Sequence, residues 1–432
     1  MSADAPAPAA RVPRRQRWLR LLLIALVALV ALALLVQILL QPERALRLLL
    51  GRLEPTLGVR IEFTGDVEYR LRGTPQLVVR DVTVAAAGAH APLLQAERVL
   101  LSLPWQTIRS RGADLSVTRI ELDAPHVQLP ALLDWLDSRP PGDGKMPPIT
   151  DGVRIVRGRL DGGSWRVDDL RLDLPALHAG RAIDAQLAGT AHLQALQLPF
   201  DLHVHADRAV DARALQARGT LALLHASGRL DTTLQADGTR IDADMPGFAL
   251  APLRIAAQAR WQGADAAPVP FVLGLHGALR VGEGPDMLRF APLGIAVRGE
   301  GVVPDVLAAG HARYGGDAVD AALEGRLAHW PQAWPPLPAP LDVADVPMPF
   351  SLRYDGPADA SAPLALHIAH PQARFEGEAR IAAMLAWLDD IATGSPVPPL
   401  RGQLTAERVE VAGAVLEGVE IEFDDGSAEA AP

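Results

Sequence analysis

The sequence predicts a mainly β protein: an elongated antiparallel sheet behind an N-terminal transmembrane helix, with a few short helices elsewhere. Three observations predict it. Apolar and polar residues alternate with a period of two through most of the chain after Val59, the signature of strands with one dry and one wet side. Gly and Pro breakers cut that alternation into short, evenly spaced segments. A single run, Leu21 to Leu40, is apolar except for Gln37 and, at about 1.5 Å per residue, long enough for about 30 Å of hydrocarbon.

Residues 1–17 begin small and Pro-rich and turn basic at Arg11, Arg14, Arg15 and Arg17, a composition that predicts a disordered cytoplasmic tail. Residues 18–40 form the transmembrane helix. The basic residues before it outweigh Arg44, Arg47 and Arg52, which Glu43 and Glu54 partly offset. The N-terminus therefore stays in the cytoplasm, and the bulk of the chain lies in the periplasm of a bacterial envelope. Ala31-Leu32-Ala33 also reads as a leader cleavage site, but the apolar run continues past it, which favours an uncleaved inner-membrane anchor. In 41–58, Pro42 suits a first helical turn, Leu46, Leu49, Leu50 and Leu53 keep helical spacing, and Gly58 offers a stop. This segment predicts a helix that caps the sheet.

Residues 59–138 read as an opening module of strands. Val67, Tyr69 and Leu71 alternate with Asp66, Glu68, Arg70 and Arg72, and Leu77 to Val84, Val99 to Leu103, Leu115 to Leu122 and Val127 to Leu129 follow. The module ends in a short helix, Pro130 to Ser138, carrying Leu132, Leu133, Trp135 and Leu136, and 139–148 is a Pro- and Gly-rich loop. The body, 149–398, repeats the pattern. Leu170, Leu172 and Leu174 oppose Arg171 and Asp173; Leu230 and Leu234 share a side with Thr232 and Ala236; Ile241, Ala243 and Met245 oppose Asp242 and Asp244. Pro331, Pro335, Pro336, Pro338, Pro340, Pro347 and Pro349 mark a long irregular connection, and Ile381 to Ile391 keeps helical spacing through Ile381, Met384, Leu385 and Leu388. Closing strands occupy 399–424, where Val419, Ile421 and Phe423 oppose Glu420 and Glu422, and 425–432 is a tail. About twenty strands at about 4.8 Å each would stack to roughly 100 Å.

Composition narrows the function. A net charge of -10 over 432 residues offers no electrostatic footprint for nucleic acid. The absence of cysteine excludes disulfides and thiolate metal sites. Aromatics make up only 4%, so the dry side is lined mainly by aliphatic chains.

The wording of the opening module carries a resemblance. Phe63-Thr64-Gly65-Asp66-Val67, Pro75 to Val84, Leu94 to Val99 and Arg119 to Val127, in that order, resemble the N-terminal module of the AsmA family, and Pro399 to Leu404, Val409 to Gly413 and Leu416 to Ile421 look like the closing strands of such proteins. The resemblance implies a curved sheet whose trough binds and conducts phospholipid without catalytic residue or cofactor, in support of outer-membrane lipid homeostasis and assembly. Val67, Tyr69, Leu71, Leu170, Leu172, Leu174, Leu230, Leu234, Ile241, Val419, Ile421 and Phe423 are the candidate lining. An open sheet edge would suit a periplasmic or outer-membrane protein partner.

Three other readings exist. One-sided alternation looks the same in a closed sandwich. An anchored β-body could assist outer-membrane protein assembly without carrying lipid. Asp201-Leu202-His203-Val204-His205-Ala206-Asp207 resembles metal-ligand motifs of amidohydrolases and metallo-β-lactamases, and His203 and His205 at i and i+2 could grip one Zn²⁺. Against that hydrolase, Arg208 stands where the second motif needs a His, and alternation reads these residues as the wet side of a strand whose dry side is Leu202, Val204 and Ala206.

Overall fold

The alternating segments become strands, and in the computed structural model all of them belong to one sheet. It describes residues 58–424 apart from short interior stretches, of which 139–146, 340–345 and 390–398 are the longest. The expected tail, transmembrane helix and capping helix lie outside the described residues. No helix of the described residues is long and apolar enough to cross a membrane.

The opening module comprises β1 (Val59–Phe63), β2 (Val67–Arg70), β3 (Gln76–Ala86), β4 (Pro92–Ser102), β5 (Arg119–Asp123) and β6 (His126–Gln128). The body continues with β7 (Val153–Asp161), β8 (Trp165–Leu174), β9 (Ile183–Leu193), β10 (Leu196–Ala206), β11 (Ala214–His225), β12 (Gly228–Ile241), β13 (Gly247–Gly263), β14 (Val269–Gly282) and β15 (Leu288–Gly299). Then come β16 (Val306–Gly315), β17 (Ala318–Leu327), β18 (Met348–Pro357), β19 (Pro363–His370), β20 (Ala373–Arg380), β21 (Leu400–Val411) and β22 (Ala414–Phe423). β1 and β2 lie end to end along β3, and β5 and β6 lie end to end between β4 and β7. From β7 onward each strand pairs with the next. With β1 and β2 sharing one position and β5 and β6 another, the 22 strands fill 20 positions, about 90 Å at about 4.8 Å per step.

The sheet is mixed, where a purely antiparallel one was expected. β5 and β6 run parallel to β7, because the chain leaves β6 through a helix, α2 (Leu129–Asp137), and returns to start β7 at the same end. A parallel pair requires such a crossover. An earlier helix, α1 (Trp105–Arg109), is too short to show helical spacing and was not expected. Ahead of α1, Ser102 Oγ donates to the Pro75 carbonyl, and from within it Trp105 Nε1 donates to that of Gly73.

Three strands keep their dry side facing one way by changing phase. Asp81, Arg157 and Asp169 have φ of 52°, 55° and 52°, left-handed values that insert a kink. The dry positions accordingly pass from Leu77 and Val79 to Val82 and Val84, and from Trp165 and Val167 to Leu170, Leu172 and Leu174. Arg157 also reaches Asp123 at 2.8 Å and Glu97 at 2.6 Å, tying β7 to β5 and β4 across the parallel junction. In the opening module Val67, Val79 and Val82 form a buried cluster with Ile61, Phe63, Tyr69, Leu77, Val84 and Val99 packed on it.

Candidate functional site

Residues directly opposite on paired strands share a side of the sheet, so the register can be followed from strand to strand. One row runs Val67, Val79, Val99, Leu122, Ile155, Leu172, Leu187, Leu202, Gly219, Leu234, Ala257, Leu273, Val297, Val306, Leu327 and Met348, from β2 to β18 without a polar side chain. A neighbouring row continues it through Ile255, Leu275, Ile295, Ala308, Gly325, Phe350, Ile368, Phe375, Leu404 and Ile421, from β13 to β22. The other side reads Asp184, His205, Gln216, Asp237, Arg254 and His276 over β9 to β14. Leu172, Leu187, Leu202, Leu234, Leu273 and Val297 are half-buried rather than buried, and among the described residues no second sheet covers them. The sandwich reading is thereby set aside.

Most of the expected lining falls on this side. Val67 is 9% exposed in the opening cluster, and burial holds the Tyr69 phenol above its ordinary range. Leu170, Leu172 and Leu174 share the dry side of β8, Leu230 faces Trp261 and Leu223, and Leu234 lies between Gly219 and Ala257. Val419, Ile421 and Phe423 face Ala406, Leu404 and Gly402, with the Phe423 ring 6.0 Å from that of Phe375.

Two expectations are corrected. Leu71 lies beyond Arg70, the last residue of β2, and is 51% exposed; the strand is shorter than its alternation. Ile241 lies in the row Ala249, Arg280, Arg289, Arg313 and Asp320, on the wet side. The sequence reads a new strand starting there, whereas β12 runs on from Gly228 and its pairing with β13 shifts register between Gly238 and Arg240, just before Ile241.

The sequence did not indicate what sits over the dry side. A helix, α3 (Ile381–Asp389), follows β20 directly and comes against β13, seven strands away, so the sheet curls between them. Along β13 the wet residues Arg254, Ala256, Gln258 and Arg260 are exposed, whereas the dry residues Ala257 and Ala259 are 7% and 6% exposed. α3 therefore lies on the dry side. Its Trp387 ring is 6.3 Å from that of Trp334 in the Pro-rich connection.

The wet side is ion-paired and hollowed between long side chains. His205 Nδ1 lies 2.8 Å and His203 Nε2 3.7 Å from Asp184 Oδ1. The hydrogen bond with His205, then the nearby imidazole charge, holds the Asp184 carboxyl below its usual range. Leu202, Val204 and Ala206 lie opposite, on the dry side. Among the described residues no three His, Asp or Glu side chains are grouped to hold a metal ion. A hollow of about 490 Å³ surrounds this cluster. A larger one of about 1180 Å³ borders the Arg229–Asp231 pair at 2.7 Å and the Arg298–Asp305 pair at 3.7 Å.

Compared with protein-family models, with curated proteins and with solved structures, the chain has no match.

Proposed function

We propose that the chain, anchored in the inner membrane, binds phospholipid along the dry side of its sheet and conducts it along that side, supporting outer-membrane lipid homeostasis and assembly. The observation that carries the reading is the unbroken apolar row from β2 to β18, of which Leu172, Leu187, Leu202, Leu234, Leu273 and Val297 are only half-buried. Acyl chains lying there gain about 0.8 kcal/mol for each methylene removed from water, while polar head groups stay in solvent. A lining that makes no directional contact grips every position alike, which suits sliding and needs no catalytic group. At about 15 Å per chain, half the hydrocarbon thickness of a bilayer, the row, about 70 Å long, would hold about five acyl lengths end to end. The likeness of the opening and closing strands to AsmA proteins points the same way.

The test places a photoreactive amino acid in the full chain in cells and analyses the adducts. Phospholipid captured from Leu187 and Leu273, but not from Gln186 or Gln258 on the wet side, supports the reading. Equal capture from both sides, or from neither, refutes it.

A further inference from the structure

Three large apolar side chains stand uncovered at one place in the opening module. Leu71, Trp105 and Ile108 are 51%, 41% and 43% exposed. Trp105 and Ile108 lie three apart on α1 and share a side of it. Leu71 is two residues from Gly73, whose carbonyl accepts from Trp105 Nε1 at 2.9 Å. The arrangement is fastened from beneath. Ser102 Oγ and Leu103 N both donate to the Pro75 carbonyl, and Thr107 Oγ1, on the buried side of α1, donates to the Ser116 carbonyl at 3.0 Å. The indole therefore has its one polar atom satisfied within the fold while much of its ring faces out.

The surroundings are basic. Arg70, Arg72 and Arg109 are exposed, and none of them is ion-paired among the described residues. Neither 70–76 nor 104–110 holds an Asp or Glu, in a chain whose net charge is -10. An indole and two aliphatic chains among unpaired guanidinium groups complement the surface of an anionic bilayer, where apolar groups enter the headgroup boundary and cations meet phosphates. The place in the ladder agrees. Among the described residues β1 and β2 pair only with β3, so they form its end rung, and the turn over 71–75 belongs to that rung. Val59 starts the rung opposite Ala86, at the far end of β3 from Gln76, about 33 Å away at about 3.3 Å per residue. The 18 residues between Leu40 and Val59 reach up to about 60 Å when extended. A chain anchored through Leu21 to Leu40 can thus lay this end rung on the same bilayer.

We propose that this patch docks the opening module on an anionic bilayer surface, with Leu71, Trp105 and Ile108 entering the headgroup boundary and Arg70, Arg72 and Arg109 taking lipid phosphates. The docking rests on the inner-membrane anchor of the proposed function and adds which end of the sheet faces that bilayer.

The test uses the full chain, which has no native cysteine, reconstituted in phosphatidylethanolamine–phosphatidylglycerol vesicles with brominated acyl chains. A fluorophore is attached at Ile108→Cys, at Glu324→Cys on the wet side of β17, or at Leu187→Cys on the dry side of β9. Quenching at 108 should exceed that at 324 at least about threefold and fall by at least about half when Arg70, Arg72 and Arg109 are all replaced by Gln, or when phosphatidylcholine replaces phosphatidylglycerol. Circular dichroism confirms that the Gln variant keeps its strands. Equal quenching at 108 and 324, in a chain that resists an alkaline wash, overturns the docking alone, and the label at 187 then reports separately on lipid along the dry side. Quenching at 108 that persists after transfer into unbrominated detergent belongs to carried lipid and also overturns the docking. A chain that the alkaline wash strips from the vesicles, with 108 unquenched, overturns the docking together with the anchor beneath it.

Discussion

Replacing Leu230 and Leu234 together by Asp is the sharpest perturbation of the dry side. Leu234 stands in the long row between Gly219 and Ala257, and Leu230 faces Trp261 two residues away on the same side. Each carboxylate keeps its water, holding about three methylenes of a passing chain off the sheet at about 0.8 kcal/mol each, about 2.4 kcal/mol or about 60-fold in affinity. Two in line approach about 5 kcal/mol, a loss of over about a thousandfold. The fold should survive, since both positions are half-buried and no second layer is left with a buried charge. Asp231→Leu is the control: it removes a solvent-exposed pair with Arg229, worth about 1 kcal/mol at most, and leaves the dry side intact. The assay is phospholipid captured by a photoreactive residue at Leu273 in cells, with circular dichroism confirming strand content. Capture should disappear in the double Asp variant and persist with Asp231→Leu. Equal loss in both, or persistence in both, would refute the assignment of sides.

Other outcomes follow from particular residues. Asp169→Val forces a β-branched residue to a φ of 52° and should destabilise by about 1–2 kcal/mol, whereas Asp169→Gly should not; matching urea midpoints for the two would count against the phase-changing kink. Gly219→Ala would drive a Cβ into the Asp201 carbonyl at a φ of 152°, and a cost of about 2 kcal/mol is expected; an unchanged melting temperature would contradict it. Asp184, whose folded pKa lies below its ordinary 3.8, adds stability that is present above that value and is lost as pH falls through the lowered one. The stability gap between the parent and Asp184→Asn should therefore narrow on acidification, and a widening gap would reverse the sign of the His205 contact.

Much of this architecture is legible in the chain because a half-exposed sheet writes its two sides directly into alternate positions. Leu170, Leu172, Leu174, Leu230, Leu234, Val419, Ile421 and Phe423 were readable for that reason. Ile241 was not, because its pairing follows a register shift between Gly238 and Arg240 that alternation does not reveal. The kinks at Asp81, Arg157 and Asp169 leave no compositional trace, since none is Gly. The parallel junction of β5 and β6 with β7 is a pairing between distant segments, and Trp334 meets Trp387 only after the sheet has curled. Neither kind of contact has a local period.

Almost every strand pairs only with its neighbours in sequence, and this bears on how the molecule comes into being. A chain emerging N-terminus first can lay down each hairpin on the rung before it, with little loop-closure entropy and no wait for a distant partner. The growing edge is always the newest strand, so the interval in which unpaired backbone is open to aggregation stays short. The crossover into β7 is the one early pause, since it must span 129–152 before pairing resumes. In such a ladder, length behaves as a free variable: a hairpin inserted or deleted shifts the reach by two rungs, about 10 Å, and leaves every other rung as it was.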